Sequence, residues 1–412
     1  MLVPVLLVLA QAVAPSPSPP LSGTQRDVVV IGQRAQRELA ACLARRCPPA
    51  QEVEASLQAS VEQFADGRYD DAQRTLQRAI RRNRAFAATM PGPVSSLYAT
   101  LATVAEHNGD TRLWKNAARS DVEVLRTHLG SGDPATLTEE LQLADDMIGL
   151  RMPGVADGLY RKVERLGIAG GHRAIAVGAV FRRAWLALAR DRPGEAERLI
   201  GDAVALADAG ADAGAGTGAD RDGIARLRDI LLARIAVRRG DGGAVDALAA
   251  RLRQSAARTP ALLFAPPVED INPVPSPSDR GNNDPVRFAD IGYWIRPDGR
   301  TVGVEVLRTS GLGPWETGIL RQVGQRRYVP LDVAAGDPGL YRIDRFTVRD
   351  TYGSVPGSRI AQRRGPMTVH VVDLTATDAM SVALRQRIAG PHQAGAAASV
   401  ASPGASGSRV TD

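Results

Sequence analysis

Between about residues 51 and 264 the apolar positions recur three and four apart, the spacing of helices with one buried stripe. Leu57, Val61 and Phe64 mark one stripe. The chain turns at Gly67-Arg68-Tyr69, and Ala72, Leu76 and Ala79 mark the next. The layout returns in 184–206, where Ala184 precedes a Pro193-Gly194 turn and Ala196, Ile200 and Ala203 line the helix after it. Fainter copies occupy 105–125 and 233–252. The period then changes. Val302, Val304 and Val306 alternate, as on a strand with one apolar face, and Asp298-Gly299 before them is a strong hairpin signal. The stretch 286–311 therefore predicts strand, turn and strand. A helix from Trp315 to about Gln325 follows, then Tyr328, Val329 and Pro330, and 341-YRIDRFTV-348 predicts a further strand.

The helical stretch resembles the tetratricopeptide repeat, in which small residues let paired helices approach closely. Four to five such pairs would stack as a short solenoid whose concave face suits a protein partner. Trp114, Trp185 and Tyr98 read as side chains packed between helices. The second pattern resembles the C-terminal domain of TonB, the energy transducer of Gram-negative envelopes. The matches are Asp298-Gly299, then Val304 and Val306, then Thr309-Ser310-Gly311. Ile319, Leu320 and Val323 supply the helix, and Arg327-Tyr328 with Pro330 its exit. Trp315-Glu316 stands where that family has a leucine–aspartate pair, and Thr309 replaces its first serine. The fold class implied is multidomain: an N-terminal tetratricopeptide-like α-solenoid and a small C-terminal α+β TonB-like domain.

That resemblance implies capture of extended peptides by strand addition at a sheet edge. It makes 341–348 the favoured edge, with Tyr341, Ile343, Arg345 and Thr347 as binding residues. The segment 26-RDVVVIGQR-34 resembles the TonB box of outer-membrane receptors, which points to Val28, Val29 and Val30 as a self-binding strand. The family also implies a part in transmembrane transport, although the linker here is too short for TonB's long arm across the periplasm.

The N-terminus sets the expected compartment. Leu2 to Ala14 is nearly all apolar, with small-residue cleavage sites ending at Ala12 or Ala14, as in an exported protein. An uncleaved anchor is the alternative. The expected organisation is a signal peptide over 1–14, a leader over 15–50, helical repeats over 51–264 and a Pro/Ser-rich linker over 265–283. An α+β domain over 284–390 and an Ala/Gly/Ser-rich tail over 391–412 complete it. In the periplasm Cys42 and Cys47 would form a disulfide; in a reducing compartment they would be free thiols.

Composition narrows function by exclusion. Apolar residues make up 44% and aromatic residues 4%, and the net charge of +6 comes from acids and bases mixed along the chain, which argues against a nucleic-acid face. The histidines, His107, His128, His172, His370 and His392, show no ligand spacing. Gly311-Leu312-Gly313 lacks a phosphate-loop lysine, and Asp145 and Asp146, adjacent on a helix, diverge around its axis. The expectation is a protein without catalytic residues, metal or small-molecule cofactor. Its partners would be proteins or peptides in the periplasm, outer-membrane receptors among them. The alternatives are a structural repeat protein of the envelope and, behind it, an envelope enzyme.

Overall fold

The computed structural model describes residues 33–211, 218–255, 260–268, 286–334, 336–349, 352–354, 361–363 and 368–375. Its first part is a run of helices: α1 Arg34–Ala44, α2 Pro49–Ala65, α3 Tyr69–Asn83, α4 Pro91–Asn108, α5 Thr111–Leu129, α6 Pro134–Gly149, α7 Pro153–Ala169, α8 Arg173–Ala189, α9 Pro193–Ala211, α10 Gly218–Arg238 and α11 Ala244–Arg251. Each helix packs on the next, giving a solenoid-like array. The sequence starts and stops these helices by known devices. Pro49, Pro91, Pro134 and Pro153 sit in first turns, where the missing N–H has no partner to lose. The Asp110 and Asp133 carboxylates accept from the Leu113 and Ala135 N–H groups. Inside, Ala72, Ala79, Ala105, Ala144, Ala156 and Ala184 are fully buried, so neighbouring helices approach closely. Trp114 is buried too, and Tyr98 and Trp185 are partly buried against the same cores. At the start of the array Cys42 and Cys47 are joined by a disulfide, their Cα atoms 5.1 Å apart.

The second part is built from β1 Leu262–Phe264, β2 Arg287–Ile295, β3 Thr301–Thr309, α12 Trp315–Gly324, β4 Arg327–Tyr328, β5 Leu340–Arg349, β6 Tyr352–Ser354, β7 Ala361–Arg363 and β8 Thr368–Asp373. The main sheet is antiparallel in the order β3-β2-β5-β8; β1 pairs with β4, and β6 with β7. The β2–β3 turn needs its glycine. Gly299 has φ +80°, and a Cβ there would come 2.1 Å from the Tyr328 carbonyl oxygen. One face of the sheet packs on α12 through Ile291, Tyr293, Ile295, Phe346 and Val348 against Trp315, Ile319 and Val323. Tyr328 belongs to the same core.

Within this core Asp344 is fully buried and ionised. It accepts from Tyr293 Oη at 2.9 Å, Arg326 Nη1 at 2.5 Å and Arg342 Nε at 2.8 Å. Burial opposes its charge, but the two guanidinium groups prevail and hold its carboxyl below the usual range.

Most of the expected edge strand 341–348 is not an edge. β5 pairs with β2 along Leu340–Val348 and with β8 along Asp344–Arg349. In the fold Asp344, Arg345 and Thr347 are wholly buried, their polarity answered by ion pairs and hydrogen bonds. Alternation marks which residues share a face. It does not say what covers that face.

Candidate protein-binding surface

The sheet face opposite α12 carries Phe288 and Asp290 on β2 and Arg345 and Thr347 on β5. This part of it lies on the turns joining α2 to α3 and α4 to α5. Arg345 is the centre of the contact. Its Nε and Nη2 donate to the Asp290 carboxylate at 2.6 and 2.8 Å, Nη2 also donates to the Ala65 carbonyl at 2.6 Å, and Nη1 donates to that of Phe64. These carbonyls end α2, where a helix has acceptors without intrahelical donors and a partial negative charge. The guanidinium also lies over Phe288, 4.4 Å from the ring centroid, and 5.6 Å from that of Phe64. Arg308 on β3 donates to Asp290 at 3.0 Å and to the Ala65 carbonyl.

Next along the seam, His107 Nδ1 lies 2.8 Å from Thr347 Oγ1, and His370 Nδ1 lies 2.8 Å from Glu106 Oε1. Burial pushes the His107 imidazole down to about 3, so it is neutral at pH 7. Burial opposes ionisation of Glu106, yet the His370 hydrogen bond and the surrounding basic side chains hold its carboxyl below the usual range. Asp146, nearby on α6, goes the other way: burial, with the Glu106 charge added, raises it well above that range.

Beyond the seam the same face of the sheet emerges. Trp294 and Tyr341 lie side by side, ring centroids 5.2 Å apart, and Tyr341 Oη donates to Glu305 Oε1 at 3.4 Å. Gly292 makes room for this: a Cβ there would meet the Tyr341 hydroxyl at 2.0 Å and the Leu307 side chain at 3.0 Å. Val302 pairs with Trp294, and Val302 and Leu307 are each 40% exposed. On the other face Val304 and Val306 pack on the α12 core. β3 is thus a strand with apolar groups on both faces. Its outer side is engaged near its start, where Arg300 bridges to Arg327 and Tyr328 N–H donates to the Gly299 carbonyl. Among the described residues no strand pairs with the rest of that side.

Of the residues expected to bind peptide, Arg345 and Thr347 are sealed in the seam, and Tyr341 and Ile343 are half-buried further along the same face. Val28, Val29 and Val30 lie outside the described residues. The residues the sequence reading passed over are Glu305 and Leu307; their signal was the second alternation in 302–307, hidden behind the valines. Among the described residues no three His, Cys, Asp or Glu side chains gather as a metal site. No described helix is long and apolar enough to cross a membrane, which overturns the expected part in transmembrane transport.

The fold and surface define a helical-array protein with a small, open-edged α+β domain fixed to its turns. No protein-family model matches the chain, and no curated protein matches it. Among solved structures it is similar to the crystal structure of BtubC (BKLC) from P. vanneervenii. The identity is 15%, over 53% of this chain and 90% of that one, with a TM-score of 0.40, a likeness too low to carry an argument.

Proposed function

We propose that the protein is an envelope adaptor that captures extended segments of other proteins at the β3 edge, in the TonB manner of strand addition. The observation that carries this reading is β3 itself, hydrogen-bonded to β2 on one side and, among the described residues, unpaired along most of the other. An added strand would satisfy its outward N–H and C=O groups and cover Val302 and Leu307. The helical array braces the sheet through Arg345 and offers a second protein-binding surface. The apolar N-terminal stretch and the Cys42–Cys47 disulfide suit a periplasmic location, with extended segments of envelope proteins, outer-membrane receptors among them, as partners. Binding rather than catalysis is the role. A purely structural scaffold is the second reading, favoured by the closely tied seam.

Chemical-shift mapping on the full chain, titrated to millimolar concentration with a panel of extended receptor-derived peptides, tests the first reading. Shifts along 302–309 are the expected result. Shifts confined to the helices, or none, contradict edge capture and favour the scaffold.

A further inference from the structure

We infer that the β3 edge selects segments in which a basic residue stands between two apolar ones at alternate positions. The inference rests on the edge-capture reading and adds the chemistry of the captured segment. On the open face β3 presents Val302, Glu305 and Leu307. Both flanking side chains are 40% exposed, and Glu305 between them is exposed as well. The spacing looks irregular, but β2 shows how a regular strand reads it. Trp294 and Gly292, two residues apart, pair with Val302 and Glu305, and Asp290, two further on, pairs with Arg308 beside Leu307. The register shifts between Gly292 and Trp294 and again between Asp290 and Ile291 absorb the extra residues. A regular strand added on the outer side would meet the three side chains at its own positions i, i+2 and i+4.

The charge at the middle position is available. Among the described residues Glu305 takes part in no ion pair; its contact is the Tyr341 hydroxyl. The neighbouring cations are occupied. Arg308 is bound to Asp290 at 2.9 Å and to the Ala65 carbonyl, and Arg300 lies 3.8 Å from Asp298. A Lys or Arg opposite Glu305 would form a cross-strand pair of opposite charge, and an acidic residue there would face like charge. Apolar residues on either side would cover Val302 and Leu307 and shield the pair from water. A lone charge in an apolar edge also discourages edge-to-edge association, so selection and protection predict different behaviour for a charge reversal.

The test uses the full chain and two fluorescent ten-residue peptides that share Val-Thr-X-Thr-Leu at their centre, X being Lys or Glu. Anisotropy titrations should show the Lys peptide bound roughly fivefold tighter, as opposite against like charges across a strand pair imply. Glu305→Lys should reverse the preference, and Glu305→Gln should abolish it. Equal binding of both peptides, with shifts at β3, overturns the selection and leaves edge capture standing. Binding of neither overturns both. Sedimentation of the free chain should show a monomer; a dimer broken by Glu305→Lys would mean that a second copy covers the edge, and would also overturn the inference.

Discussion

Strand β5 turns the same face outward from α12 at both its ends, and the two ends meet different surroundings. At one end Arg345 and Thr347 are sealed against the ends of α2 and α4 by ion pairs and hydrogen bonds. At the other, Tyr341 and Ile343 continue the face into a half-open patch with Trp294 and Leu307. The polar end is the buried one and the apolar end the more open one, the reverse of what residue type alone suggests. What differs is the supply of partners. The end of α2 offers carbonyl acceptors and Asp290 offers a carboxylate, so a guanidinium can be buried there with its donors used.

The largest expected effect breaks the sealed end. Arg345→Ala removes the buried guanidinium from Asp290 and the α2 end, leaving Arg308 on Asp290 and the Ala65 carbonyl, and should cost about 3 kcal/mol in urea unfolding of the full chain. Tyr341→Ala, at the open end, should cost about 1 kcal/mol or less. Similar losses for both would erase the distinction between the two ends.

The next effect is on pH dependence. His107 is buried neutral, its folded value of about 3 lying below an unfolded value of about 6.5. Its contribution is therefore complete above about pH 6.5 and is lost as the pH falls toward 3. Glu106 and Asp344, both held below the usual carboxylate range, add a loss below about pH 4. Thermal unfolding across pH should show the acid limb beginning near pH 6.5, and His107→Gln should delay it toward pH 4. An acid limb unchanged by that substitution would show that His107 is not sealed.

Overpacking the array sharpens the contrast further. Ala72 and Ala196 are both buried, and Leu at either should cost about 1–3 kcal/mol. Ala72 lies on α3, close to Tyr69, whose ring meets Phe288 of the sheet at 6.3 Å. Its loss should therefore be non-additive with Arg345→Ala, whereas Ala196→Leu on α9 should add to it within about 0.5 kcal/mol. The smallest effect is a gain. Burial and the Glu106 charge raise the Asp146 carboxyl, so its ionisation destabilises the fold as pH rises past the ordinary carboxylate range. Asp146→Asn should raise stability at pH 7 by about 1 kcal/mol, within the usual range for single substitutions.

Much of this architecture is written locally. The helix pairs show in alanine and leucine spacing, the hairpin in Asp298-Gly299, and the α12 core in Trp315, Ile319 and Val323, because each signal lies within one or two elements. The seam is not local. Arg345 and Asp290 are far apart in sequence, and Phe64 is further still, so nothing in 341-YRIDRFTV-348 distinguishes a buried guanidinium from a solvated one. The misplaced edge has the same cause. Which strand is outermost depends on where β8 returns, and a single strand's pattern carries no record of its neighbours.

Native-state amide hydrogen exchange on the full chain tests most directly the claim that β5 is locked and β3 open. The amides of Asp344 to Val348 should exchange only with global unfolding. Outward-facing amides in 302–309 should exchange orders of magnitude faster and become protected when an extended peptide is added. Fast exchange in 344–348, or uniform slow exchange along β3 in the free protein, would contradict the account.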